Sequence, residues 1–528
     1  MNMREVLRRS AAPLVAMLVI VTASSAVAQT RGGTLNVLVQ PEPPTLMLGI
    51  NQLGPVELVG SKIYQTLLTY DFDLKPQPVL AKSWTQSADG LTYSFTLQEN
   101  VKWHDGKPFT ADDVVFSTTK LLPETNPRAR AILANVATVE APDAHTVVFR
   151  LKQPFAPFLG AFVPSNMPMV PKHLYEGTDF RNNPANRTPI GTGPFKFAEW
   201  QRGEYIRLVR NPDYWKPGLP HLDEIYFRVL PDAAARAFAL ESQQVDVAGP
   251  DTIELFDIDR LLKLPHLEGT GRGSEFASPM SWIELNHRVK PLDDKRFRQA
   301  LLHAIDRKVI VDTIWSGHAR VPNGPIASAI RFHDADLKPL AFDPRRAEQL
   351  LDEMGLKRGA DGTRVTLSLI PLPYGEAWKR MGEYIKQALG RVGIAVTLET
   401  MDPAAWVQRV SNWDYQMTVN RLQQFGDPAV GVARTYLSSN IRKGVMFNNT
   451  MGYSNARVDE LFAKAGETVD DAARRALYRE VQRVLADDVP VAWMIEIKTP
   501  TITNRKFRDV VTTALGVNDS FESARLAR

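Results

Sequence analysis

The stretch that decides the fold class runs from Arg364 to Thr400, "RVTLSLIPLPYGEAWKRMGEYIKQALGRVGIAVTLET". Its two ends, RVTLSLI and IAVTLET, are typical of strands. Between them, the segment from Glu376 to Arg391 is typical of a helix, and Gly393 ends it. A strand–helix–strand unit of this length implies that the two strands are parallel and joined by a right-handed crossover.

Helix and strand signals alternate over most of the remaining chain, which predicts an α/β fold with mixed sheets. Gly33–Gln40 and Leu91–Gln98 have the period-two pattern of strands. Apolar residues at helical spacing from Phe297 to Ile314 predict a helix, and two more are expected at Ala456–Ala465 and Asp470–Ala486. The length of the chain suggests two or three domains.

The first residues have the order of an export signal. Three arginines, at positions 4, 8 and 9, precede an apolar run from about Ala11 to Thr22, and small residues then end at Ala26-Val27-Ala28. This order predicts a secretory signal peptide, residues 1–28, that is cleaved after Ala28. The apolar run is too short for a membrane span of about 20 residues. We therefore expect an exported, soluble periplasmic protein.

Composition excludes several classes of function. Removing residues 1–28 removes three arginines and one glutamate, so the net charge falls from +4 to +2. No basic tract remains that would indicate nucleic-acid binding. The sequence contains no cysteine, which excludes disulfides, thiolate metal sites, a cysteine nucleophile and a lipid-modified cysteine anchor.

Three long blocks together resemble the peptide/nickel-type extracellular solute-binding proteins of bacterial ABC importers, called family 5. They are AKSWTQSADGLTYSFTLQENVKWHDGKPFTADDVVFS (Ala81–Ser117), GTGPFKFAEWQRGEYIRLVRNPDYW (Gly191–Trp215) and PLDDKRFRQALLHAIDRKVI (Pro291–Ile310). Because the blocks occur in order across the chain, the resemblance is far more specific than a short motif. One small departure is Gln98, where the family usually has a basic residue.

The resemblance implies a two-lobed periplasmic binding protein fold of type II, cluster C, with three domains, mixed β-sheets and a hinge. The chain should cross the hinge near Met280–Arg288 and return near Pro490–Glu496. After the signal peptide, the expected division is 29–72 for the first part of domain I, 73–189 for domain II, 190–285 for the second part of domain I, 286–494 for domain III, and 495–528 for the last part of domain I.

The resemblance also implies the function. A periplasmic receptor of this kind captures a peptide-like or other small organic solute between its lobes and delivers it to an inner-membrane ABC permease. We expect a monomer without cofactor, resident metal or nucleic-acid partner, and a solute that is peptide-like, sugar-like or a chelate. Two alternatives remain, a metal-chelate receptor of the nickel type and, ranked lower, a secreted hydrolase.

One segment suggests catalysis at first sight. WHDGKPFTADD contains His104, Asp105, Asp112 and Asp113, residue types that serve metal or acid–base sites. However, Asp105-Gly106 is also a turn pair, and Thr110 followed by Asp113 fits a helix capping box. The structural interpretation is favoured. We expect no catalytic residues, because no nucleophile or metal motif occurs elsewhere in the sequence.

The segment RLQQFGDPAV, Arg421 to Val430, is expected to contribute the domain III wall of the cleft. In peptide-binding members, an aspartate three residues before a matching Asp-Pro pair binds the ligand's α-ammonium. Alignment on Asp427-Pro428 places Gln424 there. The arginine that takes the ligand carboxylate precedes a Pro-Tyr pair, and here Leu372 stands before Pro373-Tyr374. The alignment therefore predicts that both charged anchors are replaced, which favours a sugar-like, amide-rich or capped ligand.

The side chains predicted to line the cleft combine amides, which donate and accept hydrogen bonds, with aromatic rings, which stack on a ligand. Phe425 and Trp378 could equally face the core. For Trp282 and Asn286, at the predicted hinge crossing, it is equally open whether the side chains line the cleft. The predicted ligand-binding residues are Gln423, Gln424, Phe425, Asp427, Tyr374, Trp378, Trp282 and Asn286.

Overall fold

A computed structural model describes residues 31–527 of the chain. The predicted signal peptide and its cleavage site after Ala28 lie outside the described residues. Between residues 31 and 527, no helix combines the length and the apolar character that crossing a membrane requires.

The chain contains short strands and helices in alternation. In chain order, the strands are β1 Thr34–Val39, β2 Leu68–Tyr70, β3 Pro76–Pro78, β4 Ala81–Gln86, β5 Thr92–Leu97, β6 Val136–Asp143, β7 Thr146–Leu151, β8 Phe195–Gln201, β9 Tyr205–Arg210, β10 Glu224–Val229, β11 Val247–Ala248, β12 Leu267–Thr270, β13 Met280–Leu285, β14 Ala319–Arg320, β15 Val365–Ile370, β16 Ile394–Leu398, β17 Met417–Leu422, β18 Val491–Ile497, β19 Thr501–Asn504, β20 Phe507–Arg508 and β21 Arg525–Leu526. The α-helices are α1 Gly54–Gly60, α2 Ala111–Phe116, α3 Leu122–Thr125, α4 Pro127–Leu133, α5 Lys172–Tyr175, α6 Ala233–Glu241, α7 Leu255–Leu262, α8 Lys295–Ala304, α9 Arg307–Val309, α10 Pro344–Glu353, α11 Glu376–Arg391, α12 Pro403–Ser411, α13 Pro428–Gly431, α14 Ala433–Tyr436, α15 Ala456–Glu467 and α16 Asp471–Asp488.

Domain I is built around a seven-stranded mixed sheet with the order β12-β19-β11-β1-β10-β9-β8. Strand β1 is parallel to β10, with Val37 opposite Phe227, whereas β10, β9 and β8 are antiparallel neighbours. The strands come from three separate parts of the chain, before domain II, after it, and at the C-terminus. The division into domains I, II and III predicted from the sequence is used below to name these parts of the chain.

Domain II is an antiparallel unit inserted into domain I. Its four-stranded sheet has the order β4-β5-β7-β6. The inward face carries Tyr93, Phe95, Val147 and Phe149, all without solvent exposure. These side chains belong to the same continuous core as the domain I strands, so domains I and II form one lobe.

Domain III holds the strand–helix–strand unit that opened the sequence analysis. β15 and β16 are parallel, with Val365 opposite Ile394, and α11 runs over the predicted residues between them. Gly393 follows the helix in the left-handed region at a φ of +85°, which glycine adopts without strain. The six-stranded sheet has the order β14-β18-β13-β17-β15-β16. The predicted parallel pairing of the two strands and the helix between them are confirmed.

The helix predicted from Phe297 to Ile314 is interrupted. α8 ends at Ala304, Ile305 takes extended dihedral angles, and Asp306 caps a new helical turn by accepting from the Lys308 backbone N–H at 3.0 Å. The aspartate side chain offers the backbone an alternative to continuing the first helix, a competition that apolar spacing alone does not reveal.

Two adjacent antiparallel strands carry the chain into and out of domain III. β13 pairs with β18, Met280 opposite Glu496, and both strands lie wholly in the domain III sheet. The crossing points are therefore near residues 279 and 498, a few residues outside the predicted boundaries at 285/286 and 494/495. The two connections that form the hinge lie side by side.

Candidate functional site

A cavity of about 240 Å³ lies between the two lobes, where domain III faces domain I. Domain III contributes side chains from the end of β17 and the turn that follows it. Domain I contributes the first turn of α1, the loop before α7, the hinge connections and the C-terminal segment. The polar or charged side chains among the lining residues are Gln40, Glu57, Ser165, Asp251, Thr252, Ser274, Arg421, Gln423, Thr499 and Asn518.

Phe425 inserts from domain III into an apolar cluster of the opposite lobe. The cluster contains Tyr70, Val163, Phe276 and Ala514, and the rings of Tyr70 and Phe276 have centroids 5.3 Å apart. Phe425 has a φ of +49°, unusual for a large side chain, and Gly426 follows at +72°. This left-handed pair turns the chain sharply after β17 and directs the Phe425 ring across the lobe boundary.

Phe425 also separates two cavities. Beyond it lies a second cavity of about 290 Å³ between domains II and III, lined by Tyr70, Gln86, Asp427 and Arg331 among others. Phe276 and Phe425 line both spaces. The sequence left open whether Phe425 faces the core or the ligand, and the structure places it at the boundary between the apolar cluster and the cavities.

The two amides before Phe425 have opposite surroundings. Gln423 is exposed and lines the interlobe cavity. Gln424 is 3% exposed and turned into domain III, where its Oε1 accepts from the Ala327 N–H at 2.8 Å and its Nε2 donates to the Pro325 carbonyl at 2.9 Å. The Gln424 amide is thus committed to backbone contacts away from the cavity, so we leave Gln424 out of the proposed site.

Asp427 is paired within domain III. Its carboxylate accepts two hydrogen bonds of 3.0 Å from Nη2 of Arg474, and it also caps α13 through the Ala429 N–H. Both partners are buried. Asp427 borders the second cavity, but its charge is neutralised by Arg474, which makes it a poor anchor for a ligand ammonium.

Tyr374 and Trp378 lie apart from both interlobe cavities. Tyr374 is 55% exposed and contacts the edge of Trp406, with ring centroids 6.2 Å apart. Trp378 is buried in the domain III core against Trp315, with centroids 4.9 Å apart. Leu372 is buried in the same core. The position of Trp378 corresponds to the alternative that its side chain faces the core.

Trp282 on β13 and Asn286, the residue after β13, also face the interior of domain III. Trp282 is part of the apolar core beside α15 and α16. Asn286 donates from Nδ2 to the carbonyls of Trp413 and Tyr415 at 3.1 and 2.8 Å, which ties β13 to the start of β17. Neither side chain lines the interlobe cavity, although β13 does lie at the predicted hinge crossing.

The catalytic-looking segment has structural contacts. The Asp113 carboxylate accepts from the Thr110 N–H at 3.0 Å, as the predicted capping box requires, and from the Trp103 indole at 3.2 Å. His104 Nε2 lies 2.9 Å from the Gly193 carbonyl, and burial lowers the pKa of His104 to about 4. The segment therefore joins domain II to domain I by hydrogen bonds.

Comparison with known proteins identifies the family of the chain. The model of the bacterial extracellular solute-binding proteins, family 5, matches residues 75–444, more than half of the chain. The chain belongs to this family. It is the solute-binding component of an ABC importer, and it has the two-lobed type II fold.

Three relatives of this family 5 protein illustrate the likeness. Di/tripeptide-binding protein 1 of Pseudomonas aeruginosa is 28% identical over 473 residues, which cover 85% of this chain and 86% of that protein. The glutathione-binding protein GsiB of Shigella boydii is 30% identical over 445 residues, covering 82% and 83%. The oligopeptide-binding protein AppA of Bacillus subtilis, solved with a nonapeptide, has a TM-score of 0.78 at 26% identity, covering 95% of this chain and 100% of that one.

Sequence reasoning missed three residues that shape the site of this family 5 protein. Glu57 on α1, Asp251 before α7 and Phe276 at the hinge all face the interlobe space. Each lies far along the chain from Gln423 and Phe425. Asp251 follows a Gly-Pro pair, which marks a turn, but no periodicity indicates that the turn faces the other lobe.

Proposed function

We propose that this protein binds a small peptide-like organic solute in the 240 Å³ cavity between domains I and III and delivers it to an inner-membrane permease. The observation that carries the proposal is that side chains of both lobes wall a single cavity, with Asp251 on one side and Gln423 on the other. A solute held there contacts both lobes at once. The names of the relatives support a peptide-like solute.

The hinge supports a mechanism by closure. Within residues 31–527, two adjacent connections, near residues 279 and 498, are all that join the lobes. The lobes can therefore rotate about that point with little disturbance of either core. A solute drives closure only if it binds the closed form more tightly than the open one. Side chains that reach the cavity from domain III, such as Gln423, supply that difference because they contact solute only after closure.

The location of the mature protein is part of the same proposal. Family members are periplasmic or extracellular, and the N-terminal pattern supports cleavage after Ala28 with release of a monomer. Native mass measurement of the exported protein tests both the cleavage and the monomeric state. Cleavage would give a chain that starts at Gln29, and a monomer would have the mass of one such chain. A species that retained Met1 would contradict the export proposal.

Native mass spectrometry of the purified mature protein, combined with calorimetry against a panel of di- and tripeptides, tests the proposal. Gln423→Trp places a large ring in the cavity from an exposed position. We expect it to abolish both the copurification of a solute with the protein and the binding of added peptides. Gln408→Trp, at an exposed position on α12, is the matched control and should bind normally. Unimpaired binding by Gln423→Trp would place the solute elsewhere. A metal chelate in the mass spectrum would support the alternative receptor type.

A further inference from the structure

Two arginines from different domains lie against the ring of Phe425. The guanidinium carbon of Arg128 is 4.7 Å from the ring centroid, and that of Arg434 is 5.3 Å from it. Arg128 belongs to α4 in domain II, and Arg434 belongs to α14 in domain III. The two charges are therefore brought together only where the lobes meet.

Neither guanidinium has a carboxylate partner within residues 31–527 at 4.0 Å or less. Arg434 donates only to backbone, from Nε to the Gly431 carbonyl at 3.2 Å and from Nη2 to the Gln423 carbonyl at 2.9 Å. In the same described range, the Arg128 side chain makes no hydrogen bond. An arginine has five N–H donors, so the two side chains together have ten, and most of the ten remain available.

The charges around the ring do not balance. The acidic group whose charge acts on Arg128 is Glu57 of domain I, and burial raises the pKa of Glu57 against the pull of that arginine. Burial, together with the charge of Arg128, lowers the pKa of Arg434 to about 10, so Arg434 stays protonated at neutral pH. Two half-buried cations thus face one carboxylate, an arrangement that is costly unless another anion joins it.

The two arginines lie behind residues that line the interlobe cavity and do not line it themselves. Phe425, which both arginines contact, lines the cavity, and so does Gln423, whose carbonyl Arg434 holds. Glu57 and Ser165 complete this corner from the other lobe. A group at the end of a solute in the cavity would therefore come within reach of the free guanidinium donors.

We propose that Arg128 and Arg434 together bind a carboxylate at one end of the solute. A planar carboxylate matches the fork of a guanidinium and would supply the missing negative charge. Because the arginines belong to different lobes, the same carboxylate would favour the closed form. The proposal rests on the function proposed above. It also revises the expectation of an uncharged ligand that came from Gln424 and Leu372, since the anionic anchor would lie on other elements.

Binding of matched peptide pairs tests the proposal. Di- and tripeptides with a free C-terminal carboxylate are compared by calorimetry with the same peptides as C-terminal amides, using wild type, Arg128→Gln and Arg434→Lys. The acid forms are expected to bind wild type about 10- to 100-fold more tightly than the amides. Arg128→Gln should abolish most of that preference, and Arg434→Lys should reduce it. Arg475→Gln, which removes an exposed arginine 5.5 Å from the Phe332 ring centroid, should preserve it.

The possible failures are distinguishable. Equal affinity for acid and amide forms, or an acid preference that survives in Arg128→Gln, would overturn the carboxylate site while leaving the proposed function intact. If no peptide bound in either form, the proposed solute class would be wrong, and the carboxylate site would fall with it. Arg128→Gln removes no intramolecular side-chain hydrogen bond among the described residues. An unchanged melting temperature would therefore confirm that its loss of acid preference arises at the site and not from unfolding.

Discussion

Asp251 and Arg421 form an ion pair across the mouth of the interlobe cavity. Arg421 Nη2 donates to Asp251 Oδ2, and the Thr499 hydroxyl donates to Asp251 Oδ1 at 2.8 Å. Asp251 comes from the domain I loop before α7, whereas Arg421 lies on β17 of domain III. The pair therefore bridges the two lobes in this structure, and both side chains remain partly exposed.

Removing this ion pair should favour the open form. Asp251→Asn is expected to weaken closure by about 0.5–1 kcal/mol, the range for a partly exposed pair, and to lose its effect at high salt. Small-angle scattering should show a larger radius of gyration for the solute-free variant. Glu241→Gln removes an ion pair that lies within domain I and should leave the radius unchanged. An identical scattering curve for Asp251→Asn would show that the pair does not hold the lobes together.

The Asp427–Arg474 pair should be a stability element of domain III. Arg474 is 1% exposed, so Asp427→Asn would leave a buried cation without its partner. We expect a loss of about 3–5 kcal/mol in the free energy of unfolding, measured by urea denaturation. Asp471→Asn, which removes an exposed acid paired with Arg331, should cost less than about 1 kcal/mol. Similar losses for the two variants would contradict this assignment.

Stability should fall in mild acid because of His104. Burial lowers its folded-state pKa to about 4, below the unfolded value of about 6.5. Between these values the unfolded chain binds more protons, so the stability that neutral His104 provides above pH 6.5 is lost as the pH falls towards 4. His104 contributes up to about 1.4 kcal/mol per pH unit to the slope, and the buried His287, whose pKa burial also lowers to about 4, adds its own contribution. In denaturation experiments between pH 4 and 7, His104→Gln should therefore reduce the slope without abolishing it, whereas the exposed His145→Gln should leave it unchanged.

Gln424 should affect stability more than ligand choice. Gln424→Ala leaves the Ala327 N–H and the Pro325 carbonyl without partners, at a cost of about 1–3 kcal/mol in the free energy of unfolding. Gln424→Asp is expected to destabilise domain III without improving the affinity for free-amine peptides. Calorimetry with one dipeptide on both variants checks this. A gain in affinity for Gln424→Asp would show that position 424 does face the solute.

Local patterns were sufficient to predict much of the fold. The crossover around α11 and the cap formed by Asp113 depend on residues that are close in sequence, so their signals are complete in the chain itself. The break at Ile305 was missed because apolar spacing continued through it. There the side chain of Asp306 competes with the helix, an effect that periodicity does not measure.

The candidate site was harder to predict because its geometry depends on contacts between distant segments. Gln423 and Gln424 are adjacent and chemically identical, yet one faces the cavity and the other faces the domain core. Successive side chains of an extended segment point to opposite sides, but the sequence does not show which of the two faces the cavity. Likewise, the partner of Asp427 is Arg474, 47 residues later, and Arg128 meets Arg434 only through the packing of two lobes. Alignment to a motif assigns a position but not the direction of its side chain.

The adjacency of the two hinge connections has an evolutionary consequence. Since β13 enters domain III directly beside the strand β18 that leaves it, residues 280–497 form one continuous cassette with neighbouring ends. Recombination at those two points could join the domain III cassette of one receptor to domains I and II of another. Such an exchange would replace Arg421, Gln423 and Arg434 together while retaining Glu57 and Arg128. One half of the recognition surface could thus diversify as a module while the other half was inherited unchanged.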